Sequence, residues 1–308
     1  MSAYRFKAGE RVPEAIARIA LGRIDHAFGE LSGRGDGTPE EAVHEARKDM
    51  KKLRALLRLV RDEIGEKTFR RESTCFRDVA RELAGVRDAD VMIATLDGLD
   101  LPADAAGGLR QALEAHRLRT AAGARGPAAR GAIEMLEQAR GRVAGWPLSE
   151  EGFEALADGL RRSYRQGRRD LRAARRELRT EAMHEWRKRA KDLWYHLSLL
   201  RESWPPVMSA LADEAHELSD RLGDDHDLAV LLDWARAHAS ADALGPVVER
   251  RRASLQAEAF AYGARLYADK PGAFTRRIGR WWQASAGPAR AEAGHRQRAS
   301  SRLPRSGN

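Results

Sequence analysis

The sequence holds a single cysteine, Cys75, so neither an intrachain disulfide framework nor a cysteine-based zinc cluster can be built, and a reducing compartment suits it. No apolar run approaches the roughly 20 residues needed to span a bilayer, and the start, MSAYRFKAGERVPEA, is charged almost from the outset. A soluble, cytoplasmic protein with no membrane partner is expected. β-Branched residues are sparse and no stretch alternates at period two for long, which argues against strands. The phosphate loop G-x-x-x-x-G-K-[ST] is absent. His-Glu pairs occur at His44-Glu45 and His184-Glu185, but Lys48 and Lys188 stand where a helical zinc motif needs its second histidine. Asp224, Asp225, His226 and Asp227 are consecutive and cannot all point at one metal ion, while Asp commonly caps helices. No cofactor or metal is expected.

What is abundant is Ala, Leu, Arg and Glu, and these make the chain all-α. Its formal charge of +9 is unevenly spread. Residues 44–61 carry seven Lys/Arg against two acids, 161–191 thirteen against four, and 276–308 eight against one; the remainder has 27 basic and 39 acidic residues. An acidic body with concentrated basic segments points to a particular anionic partner.

Helices are predicted over Val12 to Leu31, Thr38 to Ile64, Glu72 to Leu96 with a break at Ala84 to Asp88, Ala105 to Ala122 and Ala128 to Ala144. A second series is predicted from Ser149 to Arg179, Thr180 to Ser203, Val207 to Leu222, Asp227 to His238, Pro246 to Ala268 and Ala273 to Ala284, with a break at Gly223-Asp224-Asp225-His226-Asp227. Thr38-Pro39-Glu40-Glu41 supplies an N-cap, a first-turn proline and a capping-box glutamate. Ala3 to Phe6 reads as a short extended arm, and 286–308 as a mobile basic tail with almost nothing to bury.

An internal repeat organises these elements. Val43 to Asp62, VHEARKDMKKLRALLRLVRD, aligns without a gap on Met183 to Glu202, MHEWRKRAKDLWYHLSLLRE, with nine identities in twenty positions. A second echo, LAGVRDADV near Asp88 and LGDDHDLAV near Asp227, follows His44 by 44 residues and His184 by 43. The spacing implies duplication of a unit of roughly 140 residues. Each half, 10–146 and 147–285, is long enough for a helical bundle.

In the first copy Val43, Ala46, Met50, Leu53, Leu57 and Val60 form an apolar stripe. His44, Arg47, Lys51, Arg54, Arg58 and Arg61 form a basic stripe rotated about 100° from it, which Lys48 widens. The second copy keeps His184, Arg187, Lys188, Lys191 and Arg201, with Trp194, Tyr195 and Ser198 interrupting. Arg161, Arg165, Arg168 and Arg172, with Tyr164 nearby, make a third stripe on the preceding helix, which antiparallel packing across Thr180 would bring alongside. Like charges three or four apart cost roughly 0.2 to 0.5 kcal/mol each, a cost that a bound polyanion reverses. Basic helix faces are ordinarily just solvated, but here the stripe recurs in both copies beside the core face. A first-turn histidine can cap its helix or touch phosphate; a nearby phosphate chain would raise its pKa, and the surrounding Arg and Lys would lower it without ligand.

VHEARKDMKKLRALL and MHEWRKRAKDLWYHL resemble the two histidine-bearing helices of the CHAD family, the conserved histidine α-helical domain, and Leu83 to Val91 and Leu222 to Val230 resemble its downstream motif. The resemblance covers about residues 10 to 285. It implies two pseudo-symmetric four-helix-type bundles of long antiparallel helices, with a basic groove between or along them that binds inorganic polyphosphate without catalysis, at polyphosphate granules. Carried over by position, the contacts are His44, Arg47, Lys48, Lys51, Arg54, Arg161, Arg165, Arg168, His184, Arg187, Lys188 and Lys191, with Tyr164 and Tyr195 at characteristic positions. Arg58 and Arg172 extend the stripes. The E-x-E-x-K signature of the triphosphate-tunnel enzymes often associated with the family is missing. Non-sequence-specific nucleic-acid binding is the main alternative, weakened by the lack of an aromatic stacker in the first stripe. A metal-dependent phosphohydrolase is the remaining one.

Overall fold

The computed structural model describes residues 4–83, 88–121, 125–238 and 241–300. Over these residues it contains eleven α-helices and no strand: α1 (Val12–Leu31), α2 (Pro39–Leu59), α3 (Arg61–Glu82), α4 (Asp88–Asp97), α5 (Ala103–Ala121), α6 (Arg125–Arg142), α7 (Glu154–Glu177), α8 (Thr180–Leu199), α9 (Pro205–His238), α10 (Leu244–Leu266) and α11 (Pro271–Ser300).

Local chemistry sets several boundaries. At the start of α2 the Glu41 amide donates to Thr38 Oγ1 at 3.3 Å and the Thr38 amide to Glu41 Oε2 at 2.7 Å, the expected capping box, worth about 1 kcal/mol. α2 ends at Leu59, earlier than predicted, and α3 absorbs a kink at Gly65, whose φ of +73° suits glycine. α7 starts five residues later than predicted because the Glu63 carboxylate accepts bonds from the Ser149 amide and hydroxyl and the Glu150 amide, holding that segment as a loop. Those bonds, Glu150's first, keep the Glu63 carboxyl below its ordinary range.

Two predicted endings differ. Gly223 to Asp227 is no break: α9 runs unbroken for 34 residues, about 51 Å at the helical rise. Asp225 is buried and accepts from Arg252 Nε at 3.0 Å and Gln256 Nε2 at 2.8 Å, so its carboxylate is spent on α10 and does not cap a helix locally. The segment predicted as a tail from residue 286 continues α11 to Ser300, in keeping with its alanine content. Residues 301–308 lie outside the described residues, as do 84–87 in the first motif echo and 122–124 at the predicted turn before α6.

α1, α2, α3 and α6 pack in one ring and α7, α8, α9 and α10 in another, with α11 against α7. The predicted boundary at residue 146 does not divide the cores. One apolar core runs from Phe6 and Ile16 through Met50, Leu57, Trp186 and Leu218 to Ile278. A second joins α4 and α5, from the first half of the chain, to Leu228, Leu231 and Leu232 of α9 and to α10. The length of α9 explains this. α8 has 20 residues, so α9 overhangs it and presents an apolar seat that α4 fills.

The N-terminal arm also crosses between halves. The Phe6 amide donates to the Leu199 carbonyl at 3.0 Å, and its buried ring meets Trp282 edge-on at 5.2 Å. The Tyr4 hydroxyl donates to the Lys52 carbonyl at 2.9 Å, with its ring 5.9 Å from Tyr195.

Two backbone positions give opposite expectations. A Cβ at Gly159 would collide with the Leu59 carbonyl where α7 meets α2, so Gly159→Ala should cost about 1 to 3 kcal/mol or more in urea unfolding. Leu178 ends α7 at φ +49° while 59% exposed, so Leu178→Gly should gain up to about 1 kcal/mol by the same measurement.

Candidate functional site

α2 and α8 touch in their C-terminal halves. His196 Nε2–H donates to the Ala55 carbonyl at 2.9 Å, and Arg58 Nη1 bonds Asp192 Oδ1 at 3.1 Å. His196 is fully buried, which pushes its pKa down and keeps the ring neutral. Asp192 also receives Arg189 at 3.0 Å.

Beside this contact α2 and α8 wall a cavity of about 430 Å³. His44, Arg47, Lys48 and Lys51 come from α2, and Arg187, Lys191, Trp194 and Tyr195 from α8. α9 supplies His216, Asp220, His226, Asp227 and Val230, while α4 supplies Val91 and Met92. Five permanently cationic side chains therefore meet two carboxylates and three histidines in one concavity. Arg47 is anchored by its bond to the Leu83 carbonyl at 3.2 Å. Arg187 has no carboxylate partner among the described residues, and its Nε is buried and unbonded. Lys48 pairs with Glu45 at 2.7 Å, and Lys188, exposed and not lining the cavity, with Glu185 at 2.6 Å. Such exposed i,i+3 pairs contribute little and exchange readily.

His184 lies against the cavity residue His226, ring centroids 4.4 Å apart. Burial, then His226, Lys188 and Arg187, push the His184 pKa down to about 4. Burial, then Arg187, pushes His226 down as well. The Tyr195 hydroxyl is pushed up, by burial first and then by Asp192.

The other sequence-predicted residues lie elsewhere. Arg54 sits next along α2 but does not line the cavity; burial and then Arg58 lower its pKa to about 10, and its buried Nε is unbonded. Arg58 is spent on Asp192 at the contact between α2 and α8. Arg161, Arg165, Arg168 and Arg172 do not line the cavity, whose α8 wall turns toward α9 and away from α7. Arg161 pairs with Asp158 of its own helix at 2.7 Å. Tyr164 is a core residue, 1% exposed, with its hydroxyl on the Leu266 carbonyl at 2.9 Å and its ring stacked on Phe274 at 4.0 Å. It falls on the apolar face of α7 with Leu156, Leu160 and Leu171.

The sequence reading missed the α9 wall. His216, Asp220, Gly223, Asp227 and Val230 recur at spacings of 4, 3, 4 and 3, a single helical face. A break placed at Gly223 hides that periodicity. Among the described residues no group of three or more His, Cys, Asp or Glu is placed to hold a metal ion, and no helix is long and apolar enough to cross a membrane.

Residues 18–236 match the family model of the CHAD domain. None of the curated proteins matches the sequence. Among solved structures, the CHAD domain from the plant Ricinus communis matches with a TM-score of 0.58 and 21% identity, over 87% of this chain and 93% of that one. At that identity the likeness concerns the fold. The family match takes in α2, α4, α8 and α9, the four helices that wall the cavity, and spans more than two-thirds of the sequence. This chain belongs to the CHAD domain family.

Proposed function

We propose that the protein binds inorganic polyphosphate in the cavity between α2, α8 and α9, without catalysing its turnover, and that this holds it at cytoplasmic polyphosphate granules. The observation that carries the reading is the meeting of Arg47, Lys48 and Lys51 with Arg187 and Lys191 across one cavity. Arg guanidinium forks bond phosphate oxygens two at a time, and Lys adds compact charge. The cavity lining is more polar than apolar, which suits a polyanion better than an apolar molecule. Asp220 and Asp227 supply counter-charge within the same cavity, and a denser anion outcompetes them for the cations.

Nucleic acid is the weaker reading for a geometric reason. Trp194 is the natural base-stacking platform, but Tyr195 stacks on it at 4.7 Å, His216 lies 3.9 Å from it, and the Lys191 ammonium sits 5.9 Å over its ring. A base would have to displace them.

In competition titrations at equal phosphate concentration, long polyphosphate should outcompete duplex DNA, with a log–log salt slope on the order of −3 for about five neutralised phosphates. Combined reversal of Arg47, Lys51, Arg187 and Lys191 to Glu should weaken polyphosphate binding more than 100-fold with helicity retained by circular dichroism. Reversal of Arg161, Arg165, Arg168 and Arg172 should weaken it less than tenfold; the opposite ranking would move the site to α7. Purified protein incubated with polyphosphate and Mg²⁺ should release no phosphate, and release abolished by His44→Ala or His184→Ala would make it an enzyme.

A further inference from the structure

His226 and Arg187 line the cavity and His184 packs directly against His226, an arrangement whose chemistry general polyanion attraction does not use. The rings of His184 and His226 lie 4.4 Å apart at an interplanar angle of 35°, too close for two imidazolium ions to coexist comfortably without an anion. Nδ1 of each ring is buried and unbonded among the described residues, and so is Nε of Arg187. Three polar nitrogens from two helices are thus left unsatisfied in and directly behind the cavity wall, and each costs stability unless a ligand or water serves it.

We propose that His184, His226 and Arg187 form a phosphate subsite of the groove whose occupation draws protons onto the histidine pair, so that polyanion binding is tightened by falling pH. This rests on the polyphosphate reading of the cavity and adds a regulation to it.

The charges facing the pair support that sign. From α8, Arg187 and Lys188 disfavour the imidazolium form and Glu185 favours it. From α9, Asp225 favours it, but that carboxylate is bonded to Arg252 of α10, which disfavours it, and Asp220 and Asp227 of α9 line the cavity as two further negative charges. Across the cavity α2 adds Arg47, Lys48, Lys51 and His44, while the residues that line it from α4, Val91 and Met92, are uncharged. The surroundings are net cationic, and burial reinforces them, so the empty pair is neutral at pH 7 and His184 protonates only near pH 4. A phosphate anion reverses the local field and raises both pKa values. Each proton taken up makes affinity up to about tenfold stronger per pH unit, between the high pKa of the occupied pair and the low pKa of the empty one.

The test is isothermal titration with long-chain polyphosphate, whose titrating ends are a negligible fraction, at pH 6 and pH 8 in buffers of different ionisation enthalpy. Wild-type protein should bind at least tenfold tighter at pH 6 with net proton uptake. The double variant His184→Asn, His226→Asn should lose the uptake and most of that difference. His226→Arg, which fixes a positive charge in the pair, should flatten the pH dependence while strengthening binding at pH 8. His116→Asn, on α5 and outside the cavity, should keep the wild-type slope. Tight binding with equal affinity and no proton uptake at both pH values overturns the proton-linked subsite and leaves the polyphosphate reading standing. No binding at either pH overturns that reading and the subsite with it. Uptake that persists in the double variant places the titrating group at His44 or His216 and also overturns the proposal.

Discussion

Two strongly basic helices lie in contact at the centre of this protein, and Asp192 is what allows them to. Arg58 reaches it from α2 and Arg189 from the next turn of its own helix, with Asp192 only 8% exposed. At an effective dielectric near 20, unit charges about 4 Å apart interact by roughly 4 kcal/mol. Guanidinium groups crowded at the junction would push α2 and α8 apart without a carboxylate between them. His196, held neutral and bonded to Ala55, adds a contact with no charge to repel. With the repulsion at the junction reduced in this way, the cations further along each helix can face one another across open space.

The matched helices handle their inner charge in opposite senses. At the same two aligned positions α2 has Asp49 and Lys52, while α8 has Arg189 and Asp192. Asp49 is buried against Arg23, His26 and Lys52 inside the first ring of helices, and Asp192 is shared with α2. One copy's carboxylate therefore stabilises its own bundle and the other's ties the halves together. The outer positions show no such exchange: Arg47 and Arg187, and Lys51 and Lys191, keep their type and line the same cavity. Buried ion pairs tolerate reversal because each needs only its partner, whereas a surface facing an outside anion needs one fixed sign.

The all-helical fold, the capping box at Thr38 and the α2 and α8 walls of the cavity are legible in sequence because each is carried by local periodicity. Arg47, Lys51, Arg187 and Lys191 can be picked out from the spacing of two helices alone. Tyr164 and Arg58 are harder: each lies near a basic stripe in sequence, and only packing reveals that one belongs to the core and the other to an ion pair between helices. The α9 face was hidden by Gly223 and its neighbouring aspartates, which resemble a helix end when read locally. Long-range bonds from Arg252 and Gln256 decide otherwise, and no window of sequence contains both partners.

The unbroken course of α9 ties together parts of the molecule that seem independent. Its middle furnishes one wall of the cavity, and its last turns seat the α4–α5 pair. Inserting or deleting one residue between Asp220 and Leu228 would rotate everything beyond by about 100°, aiming the seat into water while the wall kept its orientation. Substitutions along this helix are judged one side chain at a time, but its length is constrained as a single unit, and relatives sharing this arrangement should vary in α9 by exchange of residues far more freely than by gain or loss of them.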